Sequence, residues 1–316
     1  MKRKIAVRFT ELTDGHYAKI KAAAPGFEVL TGEQAKAQLD QCEIFFGNFK
    51  TEQLKKAPRL KWLHAATAGV DHYLKPGGLS ENVILTNSAG MHGISIAEHL
   101  LAFTLMLMRR MHSYVKQQPL HKWEYLGQVK SIYQSKITVV GLGGLGTEYA
   151  RRCQALGAAV YGVARTTRTE IPDCVEALFT IDQLDEAIED ADVVALTLPS
   201  TAETIHLFDR NRMLKMKKGA ILLNAGRGTA IDQNALIELL EQGHLGGAGL
   251  DVTNPEPLPA DSKLWDLPNV IITPHVSGGG SLSLTSDLII DNFVEYLQNY
   301  IAGQPFKKTV DRQAGY

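Results

Sequence analysis

The chain has 316 residues, of which 45% are apolar and 21% are charged, and its formal net charge is -1. This length allows about two domains with separate cores. The balanced charge and the lack of a long basic run exclude an electrostatic surface for nucleic acid. Because no apolar run is long enough for a signal-peptide core or a membrane span, we expect a cytoplasmic protein without membrane contact.

The three cysteines, Cys42, Cys153 and Cys174, are widely spaced, and none belongs to a CxxC motif. Scattered cysteines of this kind form neither a disulfide framework nor a zinc site. We therefore expect buried or incidental thiols and no bound metal.

The first part of the chain, up to about residue 87, alternates short apolar runs with polar, helix-compatible stretches. The runs are IAVRF, FEVL, EIFFGN, LKWLHAA and NVILTN. This alternation predicts a small α/β unit with a parallel sheet. A stretch from 93 to about 117 then predicts one long helix, and it is apolar over most of its circumference, as in a helix buried between domains or subunits.

A second α/β series begins at Lys136 and contains six strand candidates: ITVVG, AVYGVA, DVVALTL, AILLNAG, GAGLDV and NVIITP. Helix-like segments such as 209–214 and 232–242 separate most of them, which fits the doubly wound dinucleotide-binding fold. The segment SLTSDLIIDNFVEYLQNYIAGQ near the carboxyl end predicts one amphipathic helix. The sequence thus predicts an α/β protein with two Rossmann-like, doubly wound parallel-sheet domains.

The motif GLGGLG lies between the apolar run ITVVG and the helix-like run LGTEYARRCQAL. In this context Gly141 permits a tight turn, Gly143 lets the backbone approach a pyrophosphate, and Gly146 lets the helix pack on the strand. With Gly144 and Leu145, these residues place phosphates at a helix N-terminus, where free N–H groups and the helix dipole favour anions. The alternative is a glycine-rich turn without a ligand.

The nature of the cofactor follows from the region about twenty residues beyond this turn, where NAD-binding chains usually carry an acidic residue. No Asp or Glu occurs from Tyr149 to Thr169, whereas Arg165, Thr166 and Arg168 follow the second strand candidate. Arginine there binds a 2′-phosphate, and the missing carboxylate removes repulsion. The sequence therefore predicts a preference for NADP(H), with NAD(H) as the alternative. If these arginines only form a solvated surface loop, they do not indicate either cofactor.

Three ionisable residues follow separate strand candidates of the second series: Arg227, Glu256 and His275. Ligands of open α/β sheets bind beyond the carboxyl ends of the strands, so these residues are expected to meet at one edge. Hydride transfer to a carbonyl carbon leaves charge on oxygen, which a histidine protonates well. Glu256 would orient the imidazole, and Arg227 would bind a substrate carboxylate. Each residue also has an ordinary structural explanation.

With these motifs the chain resembles the D-isomer-specific 2-hydroxyacid dehydrogenase family, which includes glyoxylate/hydroxypyruvate reductases and phosphoglycerate dehydrogenases. The matching segments extend from 63 to 278 in family order: LHAATAGVDHY, GMHGISIAEHLL, VVGLGGLG, LLNAGRGTAID, GAGLDVTNPEPLP and TPHVSGG. The resemblance implies that Arg227 is the substrate arginine, Glu256 the partner of the histidine and His275 the acid/base. The chain departs from the commoner pattern at Ala164, where NAD-using relatives carry Asp, which favours NADP.

The resemblance also implies further binding residues. Backbone amides of Ala68, Gly69 and Val70 would hold the substrate carboxylate, and Asp251 would contact the nicotinamide amide. The other residues assigned to the cofactor half are Pro199, Thr204, Ala225, Arg227, His275 and Gly278.

The family resemblance implies a discontinuous substrate domain, residues 1–92 and 287–316, around a dinucleotide-binding domain, residues 93–286. The last helix would return to pack on the first 90 residues or so. The long helix 93–117 would cross between the domains and form much of a homodimer interface. Trp123 and His121, just beyond it, either reach toward a substrate site or pack in that interface.

The sequence thus predicts a homodimeric reductase that converts a small 2-oxoacid, similar to glyoxylate or hydroxypyruvate, to a D-2-hydroxyacid with NADPH. One alternative is a cofactor-sensing binding protein like the corepressors on this fold, since fold alone does not determine function. Another is a dehydrogenase of a different small anion, such as phosphite or formate. The residues do not distinguish one 2-oxoacid from another.

Overall fold

A computed structural model describes residues 2–166, 170–279 and 282–313 of the chain. The chain divides into two compact units, Met1–His92 with Gly279–Tyr316, and Gly93–Gly278. The second unit thus ends at Gly278, eight residues before the domain end at 286 that the sequence predicts. The reason is that the last helix begins at Ser283 and already buries Thr285 and Ser286, which belong to the first unit.

The first unit alternates strands and helices, as its sequence pattern predicts. Its elements up to residue 92 are β1 (Arg3–Arg8), α1 (Asp14–Ala23), β2 (Phe27–Thr31), α2 (Gly32–Ala37), β3 (Ile44–Gly47), α3 (Thr51–Leu54), β4 (Trp62–Ala65), α4 (Asp71–Leu74) and β5 (Ile84–Asn87). The strands form a parallel sheet in the order β2-β1-β3-β4-β5. Ala65 pairs with Asn87, so the carboxyl ends of β4 and β5 lie side by side.

The second unit contains the glycine motif and the three ionisable candidates. Its elements are α5 (Gly93–Met108), α6 (Met111–Gln117), β6 (Lys136–Val140), α7 (Gly144–Ala155), β7 (Ala159–Ala164), β8 (Ala177–Thr180), α8 (Leu184–Glu189), β9 (Val193–Leu196), α9 (Arg210–Lys215), β10 (Ile221–Asn224), α10 (Gln233–Glu241), β11 (Gly247–Leu250) and β12 (Val270–Ile272). They form a seven-stranded parallel sheet in the order β12-β11-β10-β9-β6-β7-β8. The predicted doubly wound architecture is confirmed.

Strand β8 is absent from the six strands that the sequence predicts. It lies at the edge of the sheet, and each of its residues is only partly buried. Its apolar run, ALF, has only three residues, and so short a run does not by itself distinguish a strand from other structure. The six other strands, all more deeply buried, coincide with the predicted runs.

The predicted single helix 93–117 is wrong in one respect, because two helices occupy this stretch. Helix α5 ends at Met108, and Arg110 adopts a left-handed conformation with φ of 54° before α6 begins at Met111. The Arg110 guanidinium binds the Leu126 carbonyl, which ties the break to the segment that follows. No helix within the described ranges is long and apolar enough to cross a membrane.

The last helix, α11 (Ser283–Ile301), belongs to the first unit. Its Phe293 ring stacks on Phe46 of β3 with centroids 4.0 Å apart, and it also stacks on Trp62 of β4 at 5.5 Å. Burial of these three large rings removes much apolar surface from water. The predicted return of the last helix to the first part of the chain is confirmed.

An ion pair between the half-exposed Arg3 and the largely buried Glu43 also joins α11 to the sheet. Arg3 donates from Nη2 to Glu43 Oε1 at 2.7 Å and from Nε to Oε2 at 3.0 Å, while the Tyr300 hydroxyl donates to Oε1 at 2.6 Å. The hydrogen bond from Arg3, and after it that from Tyr300, lowers the pKa of Glu43 to about 2 against the opposing effect of burial. This carboxylate therefore stabilises the fold through its charged form.

We expect Glu43→Gln to lower the free energy of unfolding near neutral pH by about 2 kcal/mol, in proportion to the depressed pKa. The stabilisation by a carboxylate of low pKa is present above its ordinary pKa of 4.5 and is lost as the pH falls toward about 2. Urea unfolding followed by tryptophan fluorescence at about pH 7 and about pH 3 measures this. The difference in the free energy of unfolding between Glu43→Gln and the wild type should be smaller at the lower pH.

The matched control is Glu33→Gln, which removes a carboxylate that pairs with Lys36 at the surface. Surface pairs contribute little, so this variant should unfold like the wild type. An equal loss in both variants, or a gap that does not change with pH, would contradict the assignment to Glu43.

Candidate active site

The candidate residues of the second unit follow strands that are neighbours in the sheet. Strands β12, β11 and β10 lie side by side, and all strands of this sheet are parallel. Arg227 follows β10, Glu256 follows β11 and His275 follows β12. All three side chains are therefore carried by loops at one edge of the sheet, where open α/β folds bind their ligands.

The His275 and Glu256 side chains form a hydrogen-bonded pair. His275 Nδ1 lies 2.8 Å from Glu256 Oε2, and about half of the imidazole side chain, 49%, is exposed. The other carboxylate oxygen, Oε1, accepts a hydrogen bond from the Thr253 N–H at 3.1 Å. Glu256 accepts from Nδ1, so Nε2 faces the exposed side, and among the described residues it has no hydrogen-bond partner. The pair can therefore present Nε2–H to a ligand.

Arg227 is positioned by two close approaches of the backbone. A Cβ on Gly226 would lie 2.5 Å from the Leu198 carbonyl oxygen, and a Cβ on Gly228 would lie 2.0 Å from the Thr253 carbonyl oxygen. The loop after β10 thus packs against the loops after β9 and β11, and only glycine fits at both positions. Because Thr253 also binds Glu256, this contact brings the loops of Arg227 and Glu256 together.

Asn224, at the end of β10, holds the backbone of the Arg227 loop and was not predicted from the sequence. Its fully buried side chain accepts from the Gly226 N–H and donates to the Arg227 carbonyl, each at 3.0 Å. The signal for it is the polar residue that ends an otherwise apolar strand, ILLN. The Arg227 Nη1 also donates to the Gly226 carbonyl at 2.8 Å.

The Asp251 carboxylate, at the end of β11, is almost completely buried and accepts four hydrogen bonds. Oδ1 accepts from Thr273 Oγ1 at 2.6 Å and from the Val276 N–H at 3.0 Å, while Oδ2 accepts from the Ser277 N–H at 3.1 Å and from its hydroxyl. Burial opposes ionisation, but these hydrogen bonds together lower the pKa of Asp251. A contact with a nicotinamide amide, as the resemblance implies, would have to share an oxygen with these donors.

The glycine motif forms the expected strand–turn–helix. Gly141 follows β6 with φ of +106°, and a Cβ on Gly146 would lie 2.1 Å from the Gly141 carbonyl oxygen. At Gly143, which caps α7, no heavy atom comes within 4 Å of the Cβ position. The turn therefore packs tightly on one side and leaves the N-terminus of α7 open on the other, which fits a dinucleotide pyrophosphate. Gly144 and Leu145 form the first turn of α7.

Arg165 and Thr166 follow β7 and are exposed. Glu203, in the loop after β9, lies near this arginine: the hydrogen bond with Thr201 contributes most to its lowered pKa, and the Arg165 charge adds to it. The loops after β7 and β9 thus approach one another beside the glycine turn of β6. Arg168, the other predicted phosphate ligand, lies outside the described residues.

The remaining cofactor candidates flank the same sheet edge. Thr204 donates to the Pro199 carbonyl at 2.7 Å and closes the turn after β9. Ala225 is buried directly after β10, and Gly278 ends the second unit. Three or more His, Cys, Asp or Glu side chains that could hold a metal ion are not found together anywhere in the described ranges.

In the first unit, the predicted substrate loop, residues 68–70, follows β4 and is held by one side chain at the end of β5 and one in the segment after β5. Asn87 Nδ2 donates to the Ala68 carbonyl at 2.7 Å, and His92 Nε2 lies 3.0 Å from the Ala66 carbonyl oxygen. The Thr67 hydroxyl donates to the Gly69 carbonyl at 3.0 Å. Sequence reasoning missed Asn87 and His92, although polar residues after a buried strand are the same signal that indicated Arg227.

A buried histidine in β4 supports this loop. Burial lowers the pKa of His64 to about 3, so its ring is neutral. The Ser88 hydroxyl donates its proton to the Ala65 carbonyl, so Ser88 Oγ accepts from His64 Nε2–H at 3.2 Å. Nδ1 of the neutral ring then accepts from Thr86 Oγ1 at 2.7 Å, and Thr86 Oγ1 also accepts from Trp62 Nε1 at 2.8 Å. His64 is thus a satisfied core residue and not a candidate acid.

Comparison with known proteins gives a consistent result. The family model described as "D-isomer specific 2-hydroxyacid dehydrogenase, NAD binding domain" matches residues 101–277. Glyoxylate/hydroxypyruvate reductase B of Pectobacterium atrosepticum is 32% identical over 265 residues, which cover 81% of each chain.

Two solved structures resemble the whole chain. A D-isomer specific 2-hydroxyacid dehydrogenase family protein from Aeromonas salmonicida has a TM-score of 0.88 and 32% identity, covering 99% of this chain and 100% of its own. The NADPH-dependent glyoxylate/hydroxypyruvate reductase of Sinorhizobium meliloti, in complex with NADP and sulfate, has a TM-score of 0.84 and 28% identity, covering 100% of both chains.

Proposed function

This chain belongs to the D-isomer-specific 2-hydroxyacid dehydrogenase family and is an NAD(P)-dependent oxidoreductase, and we propose that it reduces a small 2-oxoacid to the D-2-hydroxyacid with NADPH. The observation that carries the proposal is the His275–Glu256 pair, whose loop touches that of Arg227 at one edge of the sheet. Relatives named glyoxylate/hydroxypyruvate reductases support a substrate of this size.

Each side chain of this group has a distinct role in the proposal. The bound dihydronicotinamide supplies a hydride to the carbonyl carbon. His275 donates a proton from Nε2 to the carbonyl oxygen, on which negative charge develops. Glu256 holds the ring through Nδ1, which leaves Nε2–H as the donor, and Arg227 binds the carboxylate with its planar fork.

The proposal extends to residues of each unit that bind one part of the reactants. In the first unit, the backbone amides of residues 68–70 bind the substrate carboxylate, on a loop held by Asn87 and His92. In the second, the amides at the start of α7 bind the pyrophosphate, since Gly143 leaves them open. The turn from Pro199 to Thr204, together with Ala225, Asp251 and Gly278, completes the cofactor half.

A panel of 2-oxoacids, from glyoxylate and hydroxypyruvate to branched and aromatic acids, tests the proposed reaction. Initial rates from NADPH absorbance should be highest for the short acids, and hydroxypyruvate should yield D-glycerate. Absence of turnover with every acid would contradict the proposal and favour a cofactor-sensing protein or a dehydrogenase of another anion.

We propose NADPH as the preferred cofactor, because Arg165 and Thr166 follow β7 where a carboxylate would otherwise bind the ribose. Arg165→Ala is expected to raise KM for NADPH by about 10-fold to 100-fold, since a charge-assisted contact to the 2′-phosphate is lost. KM for NADH should change little. Steady-state kinetics with both cofactors measure the difference.

Arg210→Ala is the matched control for Arg165→Ala, because Arg210 is a half-exposed arginine on α9 that pairs with Glu238. It should leave both KM values unchanged. Equal or better use of NADH by the wild type, or an equal effect of Arg165→Ala on both cofactors, would contradict the NADPH preference.

We further propose that the chain forms a homodimer through the region from α5 to the segment after α6. Large apolar side chains are exposed there: Trp123 is 101%, Tyr125 80%, Leu120 65% and Val115 58% exposed. Several large apolar side chains exposed within about ten residues of chain are typical of a protein interface.

Trp123→Glu is therefore expected to shift the dimer, at twice the chain mass of 34.7 kDa, toward monomer. Light scattering after size-exclusion chromatography at several concentrations measures the mass. Leu214→Glu, at an exposed apolar position on α9, should leave it unchanged. A monomeric wild type would contradict the interface.

A further inference from the structure

We propose that His99 of α5 is a positioning residue: through Thr273 and the Asp251 carboxylate it fixes the segment that carries His275. The kinetic part of this inference rests on the proposed function, in which His275 is the proton donor. The structural part concerns only hydrogen bonds within the second unit.

Asp251 binds three successive backbone amides. Its main-chain carbonyl accepts from the His275 N–H at 2.8 Å, Oδ1 accepts from the Val276 N–H at 3.0 Å, and Oδ2 accepts from the Ser277 N–H at 3.1 Å. His275 itself has φ of 53°, a left-handed conformation that costs energy in a residue other than glycine. Asp251 is therefore the residue that holds His275 in this conformation.

The hydrogen bonds between α5 and Asp251 have a defined direction. The lowered pKa of Asp251 keeps its carboxylate ionised, so the carboxylate only accepts. Thr273 Oγ1 must then donate its proton to Asp251 Oδ1 at 2.6 Å, and it accepts from His99 Nε2–H at 2.9 Å. His99 Nε2 is itself 3.8 Å from Asp251 Oδ1. His99 thus donates to Thr273, Thr273 donates to Asp251, and Asp251 also accepts from the amides at 276 and 277.

Helix α5 places His99 for this contact. Ser95, one turn earlier, donates from its hydroxyl to the Ser277 carbonyl at 2.6 Å. Phe103, one turn later, packs edge-on against the His99 ring with centroids 4.5 Å apart. Residues four apart share one helix face, so a single face of α5 supports both ends of the segment 273–277.

This support explains a polar residue on a helix that is otherwise largely apolar. His99 does not contact the His275 side chain in this arrangement; it acts on the backbone beneath it. The loss of His99 would leave the Thr273 hydroxyl without its donor and loosen the orientation of the Asp251 carboxylate. The expected result is a His275 ring that is less well placed, with the cofactor turn at Gly141 unaffected.

Hydrogen exchange followed by mass spectrometry tests the structural part without any turnover. In His99→Ala and in Thr273→Val, which is nearly isosteric, the amides at 276 and 277 should exchange about 10-fold faster than in the wild type. His99→Gln retains an N–H donor and should restore much of the protection. His244→Ala is the matched control, because His244 Nε2 lies 3.1 Å from the Met213 carbonyl, away from this segment.

Kinetics of the same variants test the consequence for the reaction. His99→Ala and Thr273→Val should each lower kcat about 10-fold, with a smaller effect on the Kd for NADPH, because the glycine turn at Gly143 and Arg165, which bind the phosphates in the proposal, are unchanged. The double variant should be no slower than either single one, because both changes break the same connection. His99→Gln should recover most of kcat, and His244→Ala should equal the wild type.

The outcomes separate this inference from the proposed function. If the wild type reduces no 2-oxoacid, the proposed function is wrong, while the exchange of amides 276 and 277 still decides the inference. If His99→Ala and Thr273→Val exchange there like His244→Ala, the inference is wrong whatever the kinetics. Additive losses, or a His99→Gln variant as impaired as His99→Ala, would also overturn it, and Thr273→Val decides the matter if His99→Ala fails to fold.

Discussion

His275→Asn is expected to lower kcat/KM for 2-oxoacid reduction by about 1,000-fold, the range typical of a lost general acid. The reason is that His275 Nδ1 is bound to Glu256, which leaves Nε2–H as the proton donor of this ring. Asparagine has no group that protonates a developing alkoxide. Asparagine is chosen because it tolerates the left-handed backbone of this position, where φ is 53°. Binding of NADPH should persist, since the glycine turn is unchanged.

The control for His275→Asn is His206→Asn. His206 is also a non-glycine residue with positive φ, at 50°, so both variants make the same substitution in the same backbone conformation. Initial rates with glyoxylate and NADPH, together with NADPH binding by fluorescence, measure the effect. A His275→Asn variant that retains more than about a tenth of the activity would show that another group donates the proton.

Arg227→Lys is expected to lower kcat/KM by about 100-fold, mainly through a higher KM, although the positive charge is kept. A lysine offers a point charge and not the two parallel N–H donors that fit a carboxylate. Arg227→Ala should lose more, and added guanidinium should restore part of its activity by filling the space left by the side chain.

Arg210→Lys, on the surface of α9, is the control for this substitution and should behave as the wild type. The loop should stay intact in Arg227→Lys, because Gly226 and Gly228, which make its close backbone contacts, are not altered. If Arg227→Lys keeps the wild-type KM, or if guanidinium has no effect on Arg227→Ala, the carboxylate is bound by other groups.

The sequence was most informative where local pattern and tertiary structure agree. Buried parallel strands are continuous apolar runs, so six of the seven strands of the second unit were predictable, whereas the edge strand β8, with an apolar run of only three residues, was not. The amphipathic pattern predicted helix α11, and the family resemblance predicted its return to the first unit. The break at Arg110 was not predictable, since neither proline nor glycine marks it.

For the candidate site, the position after a strand was the useful signal. It placed Arg227, Glu256 and His275 at one edge because parallel strands end on the same side. The same signal was present at Asn224 and Asn87, whose roles depend on which carbonyls lie near them. The partners of Asn224 lie in its own loop, and the partner of Asn87 lies in the loop after another strand. Only the folded chain shows that one side chain supports Arg227 and the other Ala68.

The sequence by itself determined the family, the two doubly wound sheets and the identity of the residues proposed to do chemistry, because apolar runs, glycine spacing and the position of a polar residue after a strand are local properties. Only the tertiary structure decided how those residues are held. The four donors on Asp251 all come from the segment 273–277, which is more than 20 residues further along the chain, and His99, which contacts one of them, is 174 residues away from it in sequence. Such support depends on distances between strands and helices that no single stretch of sequence contains.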